Sequence, residues 1–167
     1  MGTSRPTQIT PNADNMKITD QDRAYGTEHR TNRVLLADPV ADAARYMKFV
    51  LEKRLNCKVE AFATTEEFLE AFAPGEDKWV FCERTTPALR SGLLVEIRRL
   101  DPFIPFFVHT ASGSEQLVAE AKIASANGWI EKPSDPHQLI DSLRRFDHQT
   151  IGGQSPYFLH IPWRDTG

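Results

Sequence analysis

Four polar residues that could bind a charged group stand at or just after short apolar runs. Asp38 and Glu83 each follow such a run, Thr110 ends a third, and Lys132 comes soon after a fourth. Carboxylates bind hard cations such as Mg²⁺, and an ammonium or hydroxyl group donates hydrogen bonds to anionic oxygens. These residues can act together only if the fold brings them to one place.

The segments around these residues alternate between strand-like and helix-like periodicity. Apolar runs with β-type patterns precede segments with apolar residues at helical spacing. The predicted strand and helix pairs are 34–37 with 42–55, 58–63 with 64–72, 79–82 with 92–100, 103–108 with 115–124, and 129–130 with 135–146. Five such units predict an α/β protein with a parallel sheet covered by helices on both faces.

In a parallel sheet of this kind, functional groups gather where the carboxyl ends of the strands meet the helix N-termini. Asp38, Glu83, Thr110 with Ala111, and Lys132 occupy four of the predicted strand ends. An acid, an acid, a hydroxyl and a lysine in that order form a specific pattern. The sequence therefore predicts one polar site at this edge of the sheet.

Composition excludes several classes of function. The 167 residues carry a formal net charge of −3, with no basic stripe that could neutralise nucleic-acid phosphates. No apolar run is long enough to cross a membrane, and Cys57 and Cys82 are expected to be free thiols of a cytoplasmic protein. The histidines show no ligand spacing, so a zinc site is not expected.

The chain divides into three parts by composition. Residues 1–31 are polar and lack periodicity, which predicts a disordered N-terminal arm. Residues 32–147 form the globular domain, and residues 148–167 form an aromatic C-terminal tail. The apolar residues of the tail are expected to dock on the chain's own domain, on a second copy or on a partner, with the first alternative favoured. These residues are Tyr157, Phe158, Leu159, Ile161 and Trp163.

Residues 33–146 resemble the receiver domain of bacterial response regulators. The resemblance rests on the motifs VLLAD, ERTTP, FFVHTA and WIEKPSDPHQLIDSLRR. It implies a flavodoxin-like, doubly wound sheet of five parallel strands in the order 2-1-3-4-5. It also implies signal transduction in a two-component system, with partners bound by the face formed by the fourth helix, fifth strand and fifth helix.

The resemblance also implies a role for each residue that matches the family's site. In the family, acids of the first and third strands hold magnesium, the third-strand aspartate accepts phosphate, and a hydroxyl and a lysine bind the phosphoryl oxygens. The matching positions are Asp38 for one acid, Glu83 for the acceptor, Thr110, Ala111 and Lys132 for the phosphate site, and Trp129 for an aromatic switch. Plain packing is the alternative role for Trp129.

Two departures from the family pattern weaken the magnesium site. Pro39 stands where the second acid of the pair is expected, and Glu83 replaces the acceptor aspartate. Because Mg²⁺ requires near-octahedral oxygen ligands, we expect no metal, no cofactor and no catalytic residue. Our hypothesis is a pseudo-receiver in which Glu83 pairs with Lys132 and mimics part of a phosphate. The alternative is a solvated Glu83 with Lys132 exposed nearby.

Other functions and assemblies stay open at this stage. The chain is expected to bind a histidine kinase, a phosphotransfer protein or another signalling protein, and a homodimer is a further alternative. It is not expected to be an enzyme. The competing functions are a phosphorylatable receiver of a phosphorelay and a sensor of anions or small molecules in the vacated phosphate pocket. His109 is expected to be half-exposed and to face away from Thr110, since strand side chains alternate.

Overall fold

The computed structural model describes residues 33–74, 78–83, 93–111, 114–132, 134–149 and 157–162, in which strands and helices alternate. The strands are β1 (Arg33–Ala37), β2 (Lys58–Phe62), β3 (Lys78–Cys82), β4 (Phe106–Thr110), β5 (Gly128–Glu131) and β6 (Leu159–Ile161). The helices are α1 (Ala41–Leu55), α2 (Thr65–Ala71), α3 (Leu93–Leu100), α4 (Glu115–Ile123) and α5 (Pro136–Gln149). The N-terminal arm predicted for residues 1–31 lies outside the described residues.

The described strands form one parallel sheet in the order β2-β1-β3-β4-β5-β6. The order 2-1-3-4-5 is confirmed for the first five strands, but the prediction of five strands is wrong. The additional strand comes from the segment that was predicted to be a tail. Leu159 and Ile161 are buried while His160 between them is exposed, which is the alternation of a strand with one covered face.

The fourth strand differs from its predicted bounds of 103–108. The side chain of Asp101 accepts hydrogen bonds from the backbone N–H groups of Phe103 and Ile104, both at 3.1 Å. This turn ends before Pro105, and β4 then runs from Phe106 to Thr110. The shift matters for function because it places Thr110 inside the sheet ladder rather than in a loop.

Apolar side chains from alternate strand positions build one core on each face of the sheet. On one face, β-strand residues such as Phe81 and Phe107 pack against α1 and α5. On the other face, residues such as Val80 and Val108 pack against α2, α3 and α4. Both faces are therefore covered, as predicted, and the central strands β3 and β4 are buried along their whole length.

Candidate functional site

Backbone hydrogen bonds fix the residues that follow the central strands. The N–H of Glu83 donates to the carbonyl of Ala37 at 2.8 Å, which extends the β1–β3 ladder by one residue. The N–H of Lys132 donates to the carbonyl of Thr110, also at 2.8 Å. Asp38, Glu83, Thr110 and Lys132 therefore lie at one edge of the sheet, in positions set by the backbone.

Lys132 joins the two acidic residues of this edge. Its Nζ donates to Asp38 Oδ2 at 2.8 Å and to Glu83 Oε2 at 2.7 Å. The relative exposure of Asp38, Glu83 and Lys132 is 4%, 5% and 6%. The predicted contact between Glu83 and Lys132 is confirmed, and the alternative of a solvated glutamate with an exposed lysine is wrong. We call these three residues the lysine-bridged triad.

The charge of the triad limits what else it can bind. Two carboxylates and one ammonium group carry a formal charge of −1, and all three side chains are withdrawn from water. The ammonium group already donates to both carboxylates, and burial strengthens these attractions. The second oxygen of Asp38 is also engaged, because it accepts a hydrogen bond from the N–H of Val40 at 2.9 Å.

Thr110 and Ala111 lie beside the triad at the end of β4. Thr110 is completely buried, and its carbonyl holds the backbone of Lys132. Ala111 is exposed. Their assignment to a phosphate site, which the family resemblance implies, stays a prediction.

His109 is buried, contrary to the expectation of a half-exposed side chain. Only 4% of it is accessible, because alternation directs it to the sheet face of Phe107, which α1 and α5 cover. Burial and the positive charge of Lys132 hold the pKa of His109 well below its ordinary value of 6.5. His109 is therefore a neutral residue beside the triad, and sequence reasoning missed this role because exposure depends on helix packing.

Trp129 is packed into the core that faces α4. Its relative exposure is 1%, and its Nε1 has no hydrogen-bond partner among the described residues. Residues Val108 and Val118 belong to the same apolar cluster. The packing role of Trp129 is thus present, and its role as a switch stays a prediction.

The donor set at this edge does not fit a magnesium ion. Among the described residues, no group of three or more His, Cys, Asp or Glu side chains could hold a metal. Pro39 contributes no ligand, and the ammonium group of Lys132 already bridges Asp38 and Glu83. A divalent cation would have to displace a buried ion pair and would then find, among the described residues of this edge, only the two carboxylates of Asp38 and Glu83.

Comparison with known proteins identifies the family. The family model for the response regulator receiver domain matches residues 34–144, which is more than half of the chain. The chain belongs to this family. It is thus a receiver domain of two-component signalling. This receiver is 28% identical over 115 residues to the chemotaxis protein CheY of Thermotoga maritima, and the match covers 68% of this chain and 95% of that protein.

Solved structures share the fold of this receiver. The non-phosphorylated HemR receiver domain from Leptospira biflexa matches with a TM-score of 0.64 and 21% identity, covering 72% of this chain and 98% of that one. DrrB, an OmpR/PhoB homologue from Thermotoga maritima, matches with a TM-score of 0.57 and 20% identity, covering 70% of this chain. The receiver spans only about half of the DrrB chain, 52% of its length.

The outer edge of β5 carries an additional element in this receiver. β6 pairs in parallel with β5 from Gly128 to Ile130. The prediction that the C-terminal apolar residues dock on their own domain is confirmed for residues 157–162, and Trp163 lies outside the described residues. Two further findings concern the described part of the chain: Cys57 and Cys82 are free thiols, and no helix there could span a membrane.

Proposed function

We propose that this receiver signals without accepting a phosphoryl group, as a pseudo-receiver in which Glu83 occupies the acceptor position. The observation that carries the proposal is the lysine-bridged triad, in which Lys132 Nζ lies 2.8 Å from Asp38 Oδ2 and 2.7 Å from Glu83 Oε2. In this arrangement a protein cation offsets one of the two negative charges of the acids.

The chemistry of phosphoryl transfer supports this proposal. Transfer to a carboxylate depends on positioning and on neutralising the charge of the phosphoryl oxygens. Glu83 is longer than aspartate by one methylene, and its Oε2 is held by Lys132 in a buried pocket. An incoming phosphoryl group would have to break this pair and then bring a dianion into a pocket that already carries a formal charge of −1.

The proposed mode of action is contact with another protein. The partner is a histidine kinase, a phosphotransfer protein or another signalling protein, and it recognises a surface whose shape depends on the intact triad. The chain has no catalytic activity of its own in this proposal, and it acts in the cytoplasm. An anion sensor is disfavoured, because the ammonium group of Lys132 already serves two carboxylates.

Intact-mass spectrometry after incubation with acetyl phosphate and Mg²⁺ tests the proposal. We expect no mass gain for this chain, while a receiver with aspartate at the acceptor position gains one phosphoryl group under the same conditions. A stable gain in the wild-type chain that disappears in the Glu83→Gln or Asp38→Asn variant would overturn the proposal. It would establish the alternative of a phosphorylatable receiver.

A second experiment tests whether Glu83 acts as a phosphate mimic. Glu83→Gln keeps the size of the side chain but removes its charge, so it weakens the contact with Lys132. We expect lower affinity for a partner that co-purifies with the wild-type chain. Because a group shifts an equilibrium only by binding one state better than the other, unchanged affinity would show that Glu83 is a neutral replacement.

A further inference from the structure

The outer edge of β5 is filled by the chain's own C-terminal strand through a short contact. β6 pairs with β5 at three positions, whereas β1 pairs with β3 at five. Leu159 and Ile161 are the two β6 side chains that enter the core, with 6% and 1% exposure. His160 between them is exposed. The paired length is therefore shorter than that between β1 and β3 and equal to that between β3 and β4.

Two helices flank this strand and complete its binding site. On the α5 side, the ring of Tyr157 lies edge-on to Phe146, with 6.0 Å between the ring centroids. On the α4 side, Nζ of Lys122 lies 5.1 Å from the centroid of the Phe158 ring. Residues 157–162 thus lie in a groove whose floor is the edge of β5 and whose walls are α4 and α5.

The groove recognises an extended chain rather than a particular fold. The edge of β5 offers backbone N–H and C=O groups, which an added strand satisfies. Specificity comes from the two side chains that point into the core, at the positions of Leu159 and Ile161. One residue whose side chain points outward lies between them. At Gly128 the two strands lie so close together that an added Cβ would be 2.7 Å from Leu159 O. The backbone of the added strand therefore lies directly against β5.

We propose that residues 157–162 are an internal competitor for a strand-binding surface. The ligand of this surface is an extended segment of a partner protein that runs parallel to β5 and supplies apolar side chains at two alternate positions. It binds after β6 leaves the groove. In the free protein β6 protects the backbone edge of β5, which would otherwise be open to unspecific pairing.

The internal strand sets the apparent affinity of such a partner. When only a fraction of molecules has the groove open, the apparent dissociation constant equals the intrinsic constant divided by that fraction. A change that releases β6 raises the fraction and strengthens binding without adding any contact.

Hydrogen exchange of the wild-type chain tests whether β6 is released on its own. We expect the backbone amides of Leu159 and Ile161, which face β5, to exchange at least about 100-fold faster than those of residues 34–36, because local opening needs less free energy than global unfolding. Rates within about threefold of each other would show that β6 opens only when the whole domain unfolds. That result would overturn the proposal.

A peptide-binding experiment tests the ligand chemistry. The probe is a fluorescein-labelled peptide of the sequence YFLHIP, which corresponds to residues 157–162. The full chain with Leu159→Asp and Ile161→Asp is expected to bind it at least about tenfold more tightly than the wild type. His160→Asp, which changes the exposed residue of the same strand, is the matched control and is expected to bind like the wild type.

Three outcomes of this experiment contradict the proposal. One is a folded double variant, verified by slow exchange of residues 34–36, that does not bind the peptide. The others are equally tight binding by the wild-type chain and binding of a control peptide with aspartate at both apolar positions. If the double variant does not fold, the exchange measurement on the wild type still decides.

The inference rests on the proposed function only in assuming that the partner is a protein. The peptide assay does not involve Glu83, and the acetyl phosphate assay does not involve β6. A failure of one can therefore be told apart from a failure of the other.

Discussion

The carboxyl edge of the sheet and its outer edge are stabilised in different ways. At the carboxyl edge, Asp38, Glu83 and Lys132 follow β1, β3 and β5, each of which is paired on both sides. The three side chains form buried ion pairs. At the outer edge, β6 has one described neighbour and inserts two apolar side chains.

This difference indicates which region can change without unfolding the domain. Breaking one ion pair of the triad leaves a charge inside the protein, and burial makes that costly. Releasing β6 exposes apolar surface and one strand edge and removes Leu159 and Ile161 from the core that faces α1 and α5, while the other members of both cores belong to the remaining domain. The triad therefore belongs to the global stability of the domain, while the outer edge belongs to a locally opening unit.

The largest expected effect is the loss of the lysine from the triad. Lys132→Met leaves two buried carboxylates without their cation, and we expect the free energy of unfolding to fall by about 3–5 kcal/mol. Denaturant unfolding measures this change. Lys48→Met, which removes an exposed lysine of α1, is the control and is expected to change stability by less than about 0.5 kcal/mol.

A triple variant sharpens the interpretation of that result. Asp38→Asn and Glu83→Gln remove the negative charges that Lys132→Met leaves unpaired. We expect the triple variant to recover part of the stability lost in Lys132→Met, because neutral side chains are less costly to bury. A loss below about 1 kcal/mol in Lys132→Met would place the triad among weak surface pairs and contradict the comparison.

The second prediction compares two isoleucines that are paired across the outer edge. Ile130 in β5 and Ile161 in β6 are register partners with 0% and 1% exposure. Ile130→Ala creates a cavity in the core and is expected to cost about 2–5 kcal/mol. Ile161→Ala is expected to cost less than about 2 kcal/mol, because the loss cannot exceed the stability of the docked strand.

Denaturant unfolding with hydrogen exchange distinguishes these two cases. Ile130→Ala should speed exchange throughout the sheet, while Ile161→Ala should speed it mainly in residues 128–130 and 159–161. Equal losses of stability from the two substitutions, with equal effects on residues 34–36, would show that β6 is an integral part of the fold.

Much of the site could be predicted from the sequence because it depends on topology. Once five strand and helix units are recognised, parallel pairing places the strand ends together, and Asp38, Glu83 and Lys132 follow strands whose patterns are clear. Sequence reasoning predicted the pair of Glu83 and Lys132 but not the second bond from Lys132 to Asp38. That bond depends on the side-chain conformation of the lysine.

Three features could not be predicted because their signals are short or non-local. β6 has three residues, and its alternation of Leu159, His160 and Ile161 is too brief to be distinguished from an irregular segment. The burial of His109 depends on α1 and α5, which lie far from it in the chain and cover that face of the sheet. The bounds of β4 depended on the turn made by the Asp101 side chain.

The third prediction uses the close approach of β5 and β6 at Gly128. A Cβ at this position would lie 2.7 Å from Leu159 O and 2.7 Å from Phe107 Cδ1. Gly128→Ala is expected to cost about 1–3 kcal/mol through overpacking and to speed amide exchange in residues 159–161. A cycle with Phe107→Leu separates the two contacts.

If the cost of Gly128→Ala persists in the Phe107→Leu background, the backbone of β6 is the obstacle. If the cost disappears there, Phe107 is the obstacle, and Gly128 then reports on the core rather than on the outer edge. The second outcome would remove Gly128 from the description of the strand-binding groove.

The smallest expected effect is the pH dependence that His109 gives to the carboxyl edge. Burial and the charge of Lys132 keep the pKa of His109 well below 6.5 in the folded chain, so the unfolded chain binds a proton more readily. The contribution of neutral His109 to the free energy of unfolding is therefore complete above about pH 6.5 and is lost as the pH falls below it, with a slope of at most about 1.4 kcal/mol per pH unit.

His109→Leu is expected to flatten this part of the stability profile, measured by denaturant unfolding between pH 7 and pH 5. His160→Gln, which replaces the exposed histidine of β6, is the matched control. If the two variants have the same slope, His109 does not couple the triad to pH, and the carboxyl edge differs from the outer edge in its ion pairs alone.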